Sequence, residues 1–128
     1  MKLRLLNCLV VLGFCFSGLA EANVTQEDFL ARKTQNLINL CTASPEDTHY
    51  REAIHFCHGY LVGAVHFNLA ESANKPESKL VCFPQPYPSR NQSIDMFVAW
   101  AQKHPEFMNE LPVETEFRFL SQQWPCKK

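Results

Sequence analysis

The fold of this chain is decided by residues 44–68, which read SPEDTHYREAIHFCHGYLVGAVHFN. Ser44 precedes a proline and two acidic residues, which suit the first turn and the positive end of a helix. Apolar side chains then recur at the spacing of one helix face: Tyr50, Ile54, Cys57, Leu61, Ala64 and Val65. The stretch therefore predicts a long helix from Pro45 to about Asn68.

The same helical period returns in three other segments, and no stretch alternates with period two for long enough to form a strand. Thr25 with Asp28, and Ser89 with Gln92, have the spacing of a capping box at a helix start. The further helices are expected over residues 26–41, 90–104 and 112–124. The sequence predicts an all-α fold, a small bundle of about four helices.

The first 22 residues have the layout of a secretory signal peptide. Lys2 and Arg4 supply the positive end, an apolar stretch occupies residues 5–19, and Ala20-Glu21-Ala22 fits the cleavage rule of small residues. We expect cleavage after this motif. Residues 23–128 are then a single helical domain in the periplasm.

Two of the six cysteines lie in the signal peptide, and four remain: Cys41, Cys57, Cys82 and Cys126. An even number in an exported chain indicates disulfides. If the first two helices form a tight hairpin, Cys57 lies about 12 residues, roughly 18 Å, beyond the turn. A disulfide needs Cα atoms within about 7 Å, so Cys41 with Cys57 is disfavoured. Of the two pairings left open, we prefer Cys57 with Cys82 and Cys41 with Cys126, because the intervening proline-rich segment can return alongside the second helix.

Gly59 and Gly63 lie four residues apart inside the predicted second helix. Each glycine costs a helix roughly 1 kcal/mol relative to alanine, so a reason is needed. We expect both to allow close packing of another helix or of the segment that holds Cys82.

Composition and motifs give no indication of catalysis. The formal net charge of −1 leaves no electrostatic signature for nucleic acid or for an anionic membrane. His55 and His58 flank Cys57, but no further ligand motif accompanies them, and a bridged cysteine is not a nucleophile. Glu114 and Glu116 point to different helix faces and are expected at the solvated surface. The sequence predicts no enzyme, no metal and no cofactor.

Four short pieces stand in a fixed order along the chain. They are Leu40-Cys41-Thr42; Cys57-His58-Gly59-Tyr60-Leu61-Val62-Gly63; Val81-Cys82-Phe83-Pro84 with Gln92 beyond it; and His104-Pro105-Glu106 leading to Trp124-Pro125-Cys126. This combination, which covers residues 36–126, resembles the bacterial Tai/Rap immunity family. That family usually carries an acidic residue a few positions past the second glycine, where this chain has His66 or its neighbours.

The resemblance implies a small exported helical protein that protects a cell against a peptidoglycan amidase effector delivered into the periplasm by type VI secretion. Such a protein would bind an amidase of the cysteine-histidine type and obstruct its substrate groove, with a homodimer as a further expectation. No nucleic acid is expected as a partner, and no membrane after cleavage of the signal peptide.

Phe107, Met108 and Leu111 are apolar residues in the expected turn 104–112, and we interpret them as candidate anchors for the partner protein. The alternative is that Phe107 and Leu111 fold back as a local core. The rival class of function is a structural or stress-related periplasmic binding protein, such as a small chaperone, whose five histidines would confer sensitivity to pH.

Overall fold

The computed structural model describes residues 23–127, so the predicted signal peptide lies outside the described residues. This part of the chain contains four α-helices and no strand beyond an isolated bridge between Val81 and Pro125. The helices are α1 (Thr34–Cys41), α2 (Tyr50–Ala73), α3 (Arg90–Gln102) and α4 (Pro112–Gln123). Short 3-10 turns occupy Asp28–Leu30, Pro76–Ser78 and Pro105–Phe107. The prediction of an all-α bundle of about four helices is confirmed.

The short helix α1 lies at the centre and contacts each of the other three helices. Leu37 and Leu40 on this helix are fully buried. The other helices add their apolar faces to the same cluster: Ala53, Cys57 and Leu61 from α2, Ile94, Phe97 and Ala101 from α3, and Phe119 and Leu120 from α4. Burial of these faces against one another accounts for the bundle, because each helix alone would leave its apolar stripe in water.

Helix α1 begins eight residues later than the sequence pattern predicted, at Thr34 instead of residue 26. The pairing of Thr25 with Asp28 does form, with the Asp28 carboxylate accepting bonds from the Thr25 amide at 2.9 Å and hydroxyl at 2.8 Å. It stands, however, at a 3-10 turn that ends at Ala31 in the left-handed region, with φ of 44°. The buried Asp28 also accepts bonds from Asn36 and Asn39, so it ties this turn to α1.

Helix α2 is displaced toward the C-terminus, since it begins at Tyr50 and ends at Ala73 instead of running from Pro45 to Asn68. The predicted first turn forms a loop of its own. Asp47 accepts bonds from the amide of Val24 and from the amide of His49, both at 2.7 Å. The residues before α2 therefore hold the N-terminal segment on the domain.

The preferred disulfide pairing is wrong. Cys41 is bonded to Cys57, with Cα atoms 5.2 Å apart, and Cys82 is bonded to Cys126, with Cα atoms 4.9 Å apart. The distance predicted between Cys41 and Cys57, roughly 18 Å, was too long because α1 and α2 do not form a tight hairpin. A loop of residues 42–49 joins them, and Cys57 lies only about two turns into α2, which brings it beside the end of α1.

The second disulfide fastens the proline-rich connection between α2 and α3 to the end of the chain. The Cys82 amide donates to the carbonyl of Trp124 at 2.9 Å, and the ring of Phe83 lies 5.1 Å from that of Trp124. Val81 is buried beside them. These contacts hold the connection around Cys82 and Phe83 against the C-terminal segment that follows α4.

The expected role of Gly59 and Gly63 in helix packing is also wrong. A methyl group added at either position would meet no atom of residues 23–127 within 4 Å. Both glycines lie on the exposed face of α2, because the period of the helix places Cys57 and Leu61 on the buried side. Neither another helix nor the segment around Cys82 approaches them.

Candidate functional site

The turn at residues 104–112, the candidate partner-binding segment, is folded tightly onto the bundle. The Phe107 ring stacks on Trp100 with centroids 5.7 Å apart and planes at 8°, and on His104 at 5.8 Å. The Arg118 guanidinium covers the same ring at 4.9 Å from its centroid. Phe107 therefore belongs to a local core, as the alternative interpretation proposed for it.

Backbone hydrogen bonds fix the rest of the turn to the start of α1. The Met108 carbonyl accepts a bond from the Gln35 amide at 3.0 Å, and the Glu110 carbonyl accepts one from the Thr34 amide at 2.8 Å. The Met108 side chain is half-buried against the core. These bonds satisfy amide groups that the first turn of α1 leaves without a partner inside the helix.

Leu111 differs from its neighbours because its side chain remains 54% exposed. It stands at the end of the turn, directly before Pro112 opens α4. The adjacent Val113 is 36% exposed, and Arg118 forms a two-point contact with the Glu110 carboxylate at 3.0 and 3.2 Å. The structure therefore presents an apolar tip on a turn in which Phe107, Met108 and Glu110 are held by contacts with the bundle.

Three aromatic side chains form a row beside α2: Phe29 of the first 3-10 turn, and Phe56 and Tyr60 of the helix itself. Phe29 packs edge to face on Phe56 at 5.8 Å, and Phe56 stacks on Tyr60 at 6.2 Å. Burial raises the pKa of the Tyr60 phenol, the negative charge of Glu116 raises it further, and the Val113 amide opposes this shift. Tyr60 thus lies between the start of α4 and the interior of the bundle.

Glu116 is a candidate functional residue that sequence reasoning placed wrongly, because it is buried instead of solvated. Its side chain is only 3% exposed, and its Oε2 atom has no hydrogen-bond partner among residues 23–127. Burial raises the pKa of this carboxyl to about 9. Its position on the face of α4 that carries Pro112, Phe119 and Leu120 was the signal that could have identified it.

Glu116 lines a cavity of about 240 Å³ between α2, α3, α4 and the connection that precedes α3. Leu61, Val65, Ile94 and Phe97 form apolar walls, and more polar side chains also contribute: His66, Arg90 and Ser93. A largely apolar cavity with a few polar groups is the usual form of a small-ligand site.

The histidines of α2 do not converge. His55 and His66 are exposed, and His58 is half-buried. Across the described residues, no group of three or more histidine, cysteine or acidic side chains is arranged to hold a metal ion. Two features remain as candidate functional sites: the turn 104–112 and the cavity beside Glu116.

No helix within residues 23–127 is both long enough and apolar enough to cross a membrane.

Fold and bridges together define a small all-α domain stabilised by two disulfides. A model of the family of Rap1a immunity proteins matches residues 33–126, so the chain belongs to this family, and the resemblance to Tai/Rap immunity proteins is confirmed. Comparisons with curated proteins and with solved structures gave no match. Membership supports a role as an immunity protein, which implies binding to a cognate effector protein.

Proposed function

We propose that this protein acts in the periplasm as an immunity protein that binds a peptidoglycan amidase effector of type VI secretion and blocks its active site. It is not itself an enzyme in this proposal. The observation that carries the proposal is the family match over residues 33–126, which spans all four helices and both disulfides.

The turn 104–112 is the surface that we assign to the effector. Its apolar tip, Leu111, is free to enter a cleft, whereas Phe107 and Met108 support the turn from below. Leu111 is therefore the proposed contact residue, and Phe107 and Met108 are the residues that support it. Val113 extends the apolar tip along α4.

Rigid attachment of the turn favours inhibition by occlusion. The active site of an amidase must be concave to hold its substrate. A side chain that fills such a cleft and is excluded from water can contribute a large share of the binding energy. Because the turn is already ordered by its bonds to Thr34 and Gln35, binding loses little conformational entropy at this segment.

The expected homodimer remains a prediction. A second copy of the chain would have to leave Leu111 accessible if the turn is to reach the effector.

Co-purification tests the proposed partner. The protein would be expressed with its own N-terminal segment and a C-terminal tag, recovered from periplasm, and combined with the candidate amidase from the neighbouring gene. We expect a stable complex of fixed stoichiometry. The chaperone-like alternative predicts instead that the protein retains many unfolded proteins and shows no preference for the amidase. Absence of a complex with the folded amidase would contradict the proposal.

A further inference from the structure

We propose that the cavity beside Glu116 is a binding site for a small carboxylate with a short apolar stem, with Glu116 and Arg90 as its polar contacts. This site is distinct from the turn 104–112 and does not depend on the proposed function. Nothing in the family match assigns a ligand to it.

The apolar walls define the stem of the ligand. Leu61 and Val65 from α2 face Ile94 and Phe97 from α3 across a space of about 240 Å³. Phe119 closes the side formed by α4. Such a space favours a hydrocarbon chain or ring, because its entry would remove apolar surface from water on both partners.

The unpartnered carboxyl of Glu116 indicates that the ligand also carries a polar head. Buried polar groups in proteins nearly always have a hydrogen-bond partner, yet the Glu116 side chain, which lines the cavity, forms no hydrogen bond among the described residues. Since its pKa is raised to about 9, Glu116 is protonated at neutral pH and has an O–H group to donate. A carboxylate is the strong acceptor that matches such a donor.

The charge at the cavity opening selects an anion over a cation. Arg90 is exposed, lines the cavity, and forms no ion pair within residues 23–127. It also stands in the first turn of α3, where the helix dipole is positive. The other titratable groups near Glu116 are Tyr60 and His66 of α2. A ligand with a negative head is therefore attracted, and one with a positive head is repelled.

Three ligands that each contain six carbon atoms in a linear chain test the choice of head group. Hexanoate, hexanol and hexylammonium would each be titrated into the protein at pH 7 and followed by NMR shifts of residues around the cavity. We expect hexanoate to bind at least about tenfold more tightly than hexanol, as one charge-assisted hydrogen bond allows. Hexylammonium should bind most weakly. Equal or tighter binding of hexylammonium would overturn the proposal.

Variants of the two polar contacts provide the second test. Glu116→Gln keeps a donor of the same shape, so we expect hexanoate binding within about threefold of the original protein at pH 7. Glu116→Leu removes the donor and should weaken binding by about tenfold or more. Arg90→Gln changes an exposed residue and should weaken hexanoate but not hexanol. Circular dichroism confirms that each variant is folded. Unchanged affinity in both Glu116→Leu and Arg90→Gln would exclude the proposed contacts.

A pH profile separates the donor role of Glu116 from simple packing. Hexanoate affinity should fall as the pH rises through about 9, because the ionised Glu116 repels the ligand. The fall should be absent in Glu116→Gln. Hexanol is the control for the ionisation of Tyr60 and His66. It carries no charge, so a change in its affinity with pH would report a change in the cavity itself. The same fall in both proteins would contradict the donor role.

The carboxylate could belong to a free small molecule or to an acidic side chain of a bound protein. Competition distinguishes these sources. If hexanoate displaces the effector from the complex, the natural occupant is an effector side chain. If hexanoate binds the complex as well as the free protein, the occupant is a free molecule.

Discussion

The hydroxyl oxygens of Thr34 and Thr115 lie 2.7 Å apart, and both side chains are fully buried between α1 and α4. The Thr34 amide and hydroxyl also donate to the Glu110 carbonyl, at 2.8 and 3.2 Å. The pair therefore joins two helices and attaches the turn 104–112 at the same point. This junction links the stability of the core to the position of Leu111.

Replacement of Thr115 by valine is expected to lower the free energy of unfolding by about 1 kcal/mol, because it removes a buried hydrogen bond and leaves the Thr34 hydroxyl with fewer partners. Urea denaturation of the two proteins measures the loss. Thr48→Val is the control, since Thr48 is exposed, and should change the free energy by less than about 0.5 kcal/mol. Equal stability of Thr115→Val and the original protein would mean that the buried pair contributes nothing.

Leu111→Asp is expected to weaken effector binding at least about tenfold, the effect of losing an interface anchor, without lowering the melting temperature. Leu80→Asp is the matched control, because Leu80 is 51% exposed but lies on the connection after α2. Affinity would be measured by calorimetry with the purified effector. If Leu111→Asp bound as well as Leu80→Asp, the turn would not be part of the interface.

Gly59→Ala and Gly63→Ala should each stabilise the protein by about 0.5 to 1 kcal/mol, because alanine favours a helix and its methyl group meets no neighbour within 4 Å in the described part of the chain. Thermal unfolding of the single and double variants provides the measurement, and the two effects should add. A loss of stability would show that something packs on this face of α2. Weaker effector binding by the double variant would place the effector on that face instead of on the turn 104–112.

The stability of the protein should depend on pH through Glu116. Its pKa is about 9 in the folded chain, against an ordinary value of 4.5 that we assign to the unfolded chain. Between these values the folded state holds one proton more, so its contribution is present at low pH and is lost as the pH rises through about 9. The free energy of unfolding should fall by up to about 1.4 kcal/mol per pH unit in this window.

Glu116→Gln tests this dependence, because glutamine has no proton to lose. The stability of the variant relative to the original protein should increase steadily from pH 5 to pH 9. The ionisation of Asp28 acts in the opposite direction and only in acid: burial raises its pKa, but hydrogen bonds from Thr25, Asn36 and Asn39 outweigh that effect and lower it. Parallel stability curves for the two proteins above pH 5 would contradict a buried, protonated Glu116.

The sequence was sufficient for those features that depend on neighbouring residues. Helical periodicity identified all four helices of the described region, and the capping box predicted at Ser89 and Gln92 is present, with bonds of 2.9 and 3.3 Å. The predicted start of α1 at residue 26 was wrong. The Asp28 carboxylate accepts hydrogen bonds from Asn36 and Asn39, which lie eight and eleven residues further along the chain, and no local pattern reveals these bonds.

The disulfide pairing and the burial of Glu116 depend on the path of the chain in three dimensions, and the sequence analysis did not predict them. The bond between Cys41 and Cys57 follows from the loop at residues 42–49, whose course is set by contacts far along the sequence, such as that of Asp47 with Val24. Glu116 was misjudged because an acidic residue is rarely buried without a partner. The sequence signal for its burial was its place on the helix face that carries Pro112 and Leu120.

The inhibition of peptidoglycan hydrolysis tests the central proposal most directly. The purified amidase effector would be assayed on peptidoglycan while the folded, oxidised protein is added in increasing amounts. The proposed function predicts that hydrolysis falls in proportion to the added protein and ceases near one equivalent, and that Leu111→Asp shifts this titration to higher concentration. Full amidase activity in the presence of excess folded protein would contradict the account.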